Sequence, residues 1–243
     1  MFSNKKLIYN LKNIKGEKII PFIHLGLGDQ IICNGIINYI SNNLAKEVFL
    51  PVKNNHAEQI SFLYSENANV NIFEVKNETR NEDVENFAKK MNIQILKIGY
   101  EKVKKNAFNT YFYKQLNLPY EHTYNYFSLP KDVNRADKLQ EHLFNYFKVE
   151  NDNFILVHSE SSYEKYDLEI LSSLDKIYIN KESDIFGNMF LYENLIKKAK
   201  EIHCINGSFF HLVERVKTDA NLFYHHQRKN NMYISSKWTW VDY

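Results

Sequence analysis

The chain has 243 residues, 44% of them apolar, which suffices for one large domain or two small ones. Its 31 Lys and Arg residues nearly balance 29 Asp and Glu residues. That balance argues against a general nucleic-acid-binding protein, which would carry a basic excess or stripe. The N-terminal segment lacks the apolar core of a signal peptide, and no apolar run approaches the ~20 residues that cross a bilayer. These features predict a soluble, cytoplasmic protein.

Strands and helices alternate through the first part of the chain. The expected strands span residues 19–25, 47–52, 70–75 and 93–98. The expected helices begin at Asp29 and span residues 55–64 and 81–91. Alternation with short links is typical of a parallel sheet with helices on both faces.

The alternation lapses between residues 99 and 130, where aromatic residues are frequent and one helix is expected over 107–116. Such an aromatic run more often belongs to a core than to a ligand site. A long helix over 133–147 follows, and the alternation then resumes. The strands expected beyond it span residues 153–158, 176–180, 201–205 and 221–225. The chain is therefore predicted to be α/β, with one domain over 1–150 and a shorter one over 151–243.

The stretch from Lys18 to Ile40 is predicted to be a strand, a glycine-containing turn and a helix. Gly26 and Gly28 in this turn tolerate φ > 0 and carry no Cβ, so the backbone can approach a ligand there. Asp29 then lies at the carboxyl end of a strand, where open α/β sheets bind ligands. It is either a general base or the N-cap that accepts the amide of residue 31 or 32.

A second turn of this kind, Asn206-Gly207-Ser208, also joins an expected strand to an expected helix. The first amides of a helix lack internal partners, so such a turn suits a diphosphate. The competing interpretation makes Asn206 or Ser208 a simple N-cap. His211, one turn into the helix, either reaches a ligand or is a satisfied interior histidine.

Two motifs, GLGDQIICNGI and HCINGSFFHLVERV, resemble the GT-B glycosyltransferases, most nearly the ADP-heptose heptosyltransferase group. The resemblance implies two Rossmann-like halves facing a cleft, the second of them short. It implies that Asp29 is the base of an inverting sugar transfer, with Gly28 and Gln30 beside it as substrate-binding residues. Asn206 stands where that family has an acidic residue, and Gly207 and Ser208 appear in swapped order.

The resemblance also implies which residues contact the nucleotide-sugar donor. It assigns this role to His158, Ser159, Ser161, Ser162, Lys165, Asn206, Gly207, Ser208 and His211. The acceptor would be a glycan or another hydroxyl compound, with peripheral membrane association through that acceptor. No cofactor is expected. No metal is expected either, since Cys33 and Cys204 lack metal-ligand spacing and there is no Asp-X-Asp motif.

Two alternatives remain. The first is a non-catalytic relative that binds a nucleotide or a glycan, which the short second half and Asn206 both allow. The second is a methyltransferase that uses S-adenosylmethionine. It would need a carboxylate near the end of the second strand, and that strand ends in Leu50-Pro51-Val52-Lys53.

Overall fold

A computed structural model describes residues 6–100, 107–161, 164–227 and 232–242 of the protein. The chain divides into two compact units. The first runs to Pro130 and takes in Met232 and Tyr233 from the C-terminal segment, while the second begins at Lys131. This division falls before the helix over 133–147, whereas the sequence analysis set the boundary after it.

The first unit contains a parallel five-stranded sheet in the order β1-β5-β2-β3-β4. Its strands are β1 (Leu7–Ile8), β2 (Lys18–Phe22), β3 (Glu47–Lys53), β4 (Val70–Val75) and β5 (Gln94–Lys97). Its helices are α1 (Leu27–Asn43), α2 (Ala57–Leu63), α3 (Arg80–Met91), α4 (Phe108–Gln115) and α5 (His122–Asn125). The α/β prediction is confirmed. Neither the short strand β1 nor the single turn α5 was among the elements expected from the sequence.

The aromatic segment between β5 and residue 130 is part of the core. Phe112 and Tyr113 of α4 are almost fully buried. The Tyr113 hydroxyl donates a hydrogen bond of 2.7 Å to the carbonyl oxygen of Ile32. Gly35 in the middle of α1 lies against this layer, since a Cβ there would come 2.3 Å from the backbone oxygen of His122. Gly35 is therefore the point at which α1 packs closely against α5.

Tyr233 joins the first unit from the far end of the chain. The Asn109 side chain donates to the Tyr233 carbonyl and accepts from the Tyr233 N–H, both at 2.9 Å. Asn109 is only 2% exposed, so these two bonds satisfy a buried amide.

The second unit contains another parallel five-stranded sheet, in the order β10-β9-β8-β6-β7. Its strands are β6 (Phe154–His158), β7 (Asp175–Tyr178), β8 (Glu201–Cys204), β9 (Asn221–His226) and β10 (Trp238–Asp242). Its helices are α6 (Val133–Phe147), α7 (Glu193–Lys198) and α8 (Ser208–Val213). The sequence analysis did not predict β10, which extends the sheet beside β9.

Candidate functional site

Asp29 lies in the first turn of α1, at the third helical position. The N-cap residue is Gly26, and the helix begins at Leu27. The N-cap interpretation of Asp29 is therefore wrong, because the helix starts two residues before it. Its carboxylate instead accepts a hydrogen bond from the backbone N–H of Gly26. An acidic side chain at the third position makes this contact in a capping box.

Gly26 provides space for the Asp29 carboxylate. A Cβ at Gly26 would lie 2.8 Å from Oδ2 of Asp29. Gly26 has φ −70°, and neither it nor Gly28 is among the glycines with positive φ. The tolerance of glycine for φ > 0 is therefore not used at either position, since Gly28 already belongs to the helix. What Gly26 contributes is the missing side chain.

The strand order places Asp29 at a topological switch point. After β2 the chain continues on one side of that strand, through β3 and β4. It then crosses over, so that β5 pairs with β2 on the other side. All these strands are parallel, so their carboxyl ends share one edge of the sheet. His24 follows β2, Lys53 ends β3 and Tyr100 follows β5. In open α/β sheets, ligands bind in the crevice at such an edge.

The environment of Asp29 raises the pKa of its carboxyl group toward neutral pH. Burial raises the pKa of the carboxyl from 3.8 to about 6, while the charges of His24 and Lys53 and the Gly26 hydrogen bond oppose the rise. A carboxylate with this pKa is a stronger base than an ordinary Asp and is still mostly ionised at neutral pH. Burial also raises the pKa of the nearby Tyr100 to about 12, and the charge of Asp29 adds to the rise.

His24 has a fixed orientation at this edge. Its Nε2 lies 2.8 Å from the carbonyl oxygen of Gly99, so Nε2 carries the proton, because a carbonyl only accepts. Its ring stacks on Tyr100 with 4.5 Å between centroids. Gly99 has φ +82°, and a Cβ there would lie 2.2 Å from Phe112 and 3.0 Å from His24. Only glycine suits this position on both counts.

Gln30, predicted to contact substrate, follows Asp29 in α1 and is fully buried. Its amide nitrogen lies 3.4 Å from the carbonyl oxygen of Pro51 in β3. Its Oε1 has no hydrogen-bond partner. Gly28 is half-buried beside it.

The second turn lies at the switch point of the second sheet, where β6 is flanked by β7 and β8. Gly207 is the N-cap of α8 and no side chain caps the helix, so the interpretation of Asn206 or Ser208 as N-cap is wrong. Gly207 is extended, with φ 179°, and its backbone lies under the ring of His158. A Cβ at Gly207 would come 2.8 Å from Cε1 of that ring. Close approach therefore explains this glycine.

His158 and His211 are both buried, and Nδ1 of each ring has no hydrogen-bond partner. Burial lowers the pKa of His158 to about 4. Burial, followed by the charge of Arg215, lowers the pKa of His211 to about 3. Both imidazoles are therefore neutral at physiological pH. His211 is interior, as one of the two interpretations had it, but its ring is not fully satisfied.

The loop after β6 carries the remaining predicted donor contacts. Ser159 is buried, and its carbonyl accepts a 2.8 Å bond from the N–H of Tyr166. The Ser161 hydroxyl donates to the carbonyl of Glu164 at 3.0 Å. Lys165 is exposed. Ser162 lies outside the described residues.

His24, Lys53 and Tyr100 were absent from the sequence-based site. Each belongs to a different strand end, and only the sheet order brings the three together. The available signal was position: each residue lies at the carboxyl end of an expected strand. Lys53 also stands where a methyltransferase would need a carboxylate.

The described ranges contain neither a candidate metal site nor a candidate membrane span. No group of three or more His, Cys, Asp or Glu residues there is arranged to hold a metal ion. None of the helices described is both long and apolar enough to pass through a bilayer.

The chain was compared with known proteins. No protein-family model matches it, and no curated protein matches it in sequence. A family 9 glycosyl transferase from Veillonella parvula DSM 2008 matches its structure with TM-score 0.58 and 9% identity, over 93% of this chain and 86% of that one. ADP-heptose LPS heptosyltransferase II of E. coli matches with TM-score 0.53 and 10% identity, over 92% and 90%. The protein therefore has the fold of these glycosyltransferases, with two Rossmann-like halves of the GT-B type, as the two motifs predicted.

Proposed function

We propose that the protein is an inverting glycosyltransferase. It moves a sugar from a nucleotide-sugar to a hydroxyl group of a glycan or similar acceptor, without a metal. The acceptor oxygen attacks the anomeric carbon, the bond from that carbon to the diphosphate breaks, and Asp29 takes the hydroxyl proton. The products are the glycosylated acceptor and a nucleoside diphosphate.

The observation that carries this proposal is the state of Asp29 at the first switch point. Its pKa of about 6 lets it accept a proton at neutral pH. Gly26 leaves room for the Asp29 carboxylate, because any larger residue would place a Cβ 2.8 Å from its Oδ2. The first unit thus supplies the base, and its carboxyl edge is the proposed acceptor side.

The second unit is the proposed donor side. The amides at the start of α8 have no intrahelical partners and no side-chain cap, which suits the donor diphosphate. The His158 ring lies against the Gly207 turn, with Nδ1 at 3.7 Å from the point that a Cβ of residue 207 would occupy, and Nδ1 has no hydrogen-bond partner. A neutral imidazole there can donate a hydrogen bond to a phosphate oxygen. Ser159, Ser161, Ser162, Lys165, Asn206, Ser208 and His211 remain predicted donor contacts.

A survey of ligands by thermal shift tests the donor class. Nucleoside diphosphates and a panel of nucleotide-sugars are expected to raise the melting temperature, because they bind only the folded state. If no member of the panel raises it, the proposal fails. If a nucleoside diphosphate binds but no sugar is transferred or hydrolysed from any donor, the protein is a binding relative rather than an enzyme.

Gly207→Ala tests the second turn. The new Cβ would meet the His158 ring at 2.8 Å, so the ring must move. The affinity for the best nucleotide ligand is expected to fall at least tenfold, which equals about 1.4 kcal/mol of binding free energy. Lys200→Ala is the control, since this exposed residue lies at the opposite end of β8 from the turn. Unchanged affinity in Gly207→Ala would place the donor elsewhere.

A cytoplasmic location and a peripheral association with membranes through the acceptor stay predictions. Fractionation of cells, with and without a salt wash, measures both.

A further inference from the structure

The imidazole of His24 lies near Asp29, and the proposed reaction assigns it no role. Strand β2 ends at Phe22, and His24 belongs to the segment that leads from it to α1. His24 is exposed, although its neighbours Ile23 and Leu25 are buried. Of the interactions that oppose the rise in the pKa of Asp29, the charge of His24 has the largest effect, which places the ring near the carboxylate. An exposed polar ring beside the candidate base is in a position to contact the acceptor.

The segment after β5 holds the His24 ring in one orientation. Nε2 of the ring donates to the Gly99 carbonyl at 2.8 Å, and the ring stacks on Tyr100 with 4.5 Å between centroids. The Gln115 side chain secures this segment, because it accepts from the Gly99 N–H at 2.7 Å and donates to the Lys97 carbonyl at 2.6 Å. Since the ring is fixed before binding, a ligand need not bear the entropy cost of ordering it.

The bond to Gly99 also decides which nitrogen of His24 is available to a ligand. A carbonyl oxygen only accepts, so Nε2 carries the proton and Nδ1 of the neutral ring has a lone pair. Within the described ranges, no residue makes a hydrogen bond to this Nδ1. Nδ1 is therefore an acceptor that needs a donor from outside the chain.

The chemistry of the two side chains indicates which donor suits them. The ionised carboxylate of Asp29 and the neutral Nδ1 of His24 both accept hydrogen bonds and offer none. A phosphate or carboxylate group of a ligand would bring further acceptors and, beside Asp29, a like charge. Two acceptors close together instead suit a ligand with two hydroxyl groups.

We propose that His24 is a specificity-determining residue of the acceptor site. Its Nδ1 accepts a hydrogen bond from a second hydroxyl group of the acceptor, while Asp29 accepts the bond from the hydroxyl that reacts. This inference rests on the proposed function, and it narrows the acceptor to a polyol, such as a sugar ring with a free hydroxyl group near the reacting one.

NMR of the ring nitrogens, in the full chain made with isotope-labelled histidine, tests the role of Nδ1 without a sugar donor. His24 is assigned by the signals that His24→Gln lacks, and spectra are recorded with the ring neutral. Nδ1 is expected to be the unprotonated nitrogen. The probes are the methyl glycosides of glucose, galactose, mannose and N-acetylglucosamine. At least one of them should shift the Nδ1 signal more than the Nε2 signal, because only Nδ1 gains a hydrogen bond.

Monodeoxy forms of the best probe test the specificity. One of them is expected to bind the wild type about tenfold more weakly than its parent, because it leaves Nδ1 without a donor. His24→Gln should bind both probes equally. Glutamine can donate to the Gly99 carbonyl in place of Nε2, but it has no atom in the place of Nδ1. His142→Gln is the matched control, since this half-buried histidine lies in α6 of the second unit.

Three results would each overturn the role of His24. The first is a proton on Nδ1 of the neutral ring, and the second is that no probe shifts the Nδ1 signal. The third is that His24→Gln prefers the parent over the deoxy probe as strongly as His142→Gln does. None of these measurements uses a nucleotide-sugar, so they leave the proposed transfer standing. A failure of that proposal would appear instead in the survey of nucleotide ligands.

Discussion

Replacing Asp29 with Asn is expected to slow sugar transfer by about 10²- to 10⁴-fold, the range that a general base contributes. The amide keeps the shape of the side chain and can still accept the Gly26 N–H, but it cannot take a proton. The measurement is the transfer rate, at saturating donor and acceptor, for the donor that the ligand survey identifies. A wild-type rate in Asp29→Asn would remove Asp29 from the mechanism.

The pH dependence follows from the same carboxyl group. The transfer rate of the wild type is expected to rise with pH and to level off above the pKa of about 6, since only the ionised form accepts the proton. Asp29→Asn should lose this rise.

The contribution of Asp29 to the free energy of unfolding should fall as the pH rises, whereas the transfer rate rises. The folded-state pKa is raised from 3.8 to about 6, so the stabilisation by protonated Asp29 is complete below pH 3.8 and is lost as the pH rises through 6. Relative to wild type, Asp29→Asn should gain about 1–2 kcal/mol of unfolding free energy between about pH 4.5 and about pH 8. Denaturant unfolding of both proteins at the two pH values measures this. A variant that loses both activity and stability at the higher pH would mark Asp29 as structural.

Gly26→Ala complements that variant by moving the carboxylate instead of removing it. The new Cβ would lie 2.8 Å from Oδ2 of Asp29, and the carboxylate must rotate away. Because that atom ends a flexible side chain, the fold should tolerate the change, while the transfer rate falls.

Gly35→Ala is expected to destabilise the first unit by about 2 kcal/mol or more. Alanine favours a helix over glycine by about 1 kcal/mol, but here its Cβ would lie 2.3 Å from a backbone oxygen of His122 and 2.9 Å from the Tyr113 hydroxyl. A backbone carbonyl cannot turn aside as a side chain does, so α1 and α5 must separate. The Tyr113 bond to Ile32 would be strained with them.

Denaturant unfolding of Gly35→Ala measures the loss, with Asn42→Ala as control in the same helix. Asn42 is exposed, so its replacement should change the unfolding free energy by less than about 0.5 kcal/mol. If Gly35→Ala were as stable as the control, the close packing of α1 on α5 would not exist.

The alternating elements could be predicted from the sequence because their patterns are local. The strand Val70–Val75 and the helix Val133–Phe147 have the bounds that their apolar spacing indicated. The start of α1 was harder, because Gly-Leu-Gly reads as a loop although Leu27 and Gly28 already belong to the helix. Strand β10 was missed because its residues alternate poorly and its pairing with β9 is visible only in three dimensions.

The same distinction applies to the site. Asp29 was found because it follows a strand and two glycines, which is a local pattern. His24 and Tyr100 come from strands that are far apart in sequence, and nothing in the sequence alone orders β2 beside β5. The unpartnered nitrogen of His158 likewise depends on packing against Gly207, 49 positions further along the chain.

The pairing of Asn109 with Tyr233 has a consequence for biosynthesis. The two residues are 124 positions apart, so the ribosome must add 124 further residues before Asn109 can meet this partner. Until then the side-chain amide of Asn109 lacks its Tyr233 partner and must bind water, although the same group is buried in the complete protein. The first unit therefore completes its folding only after the second unit has been synthesised, although its own sheet is synthesised first. A chain cut after Pro130 would stop at that incomplete stage.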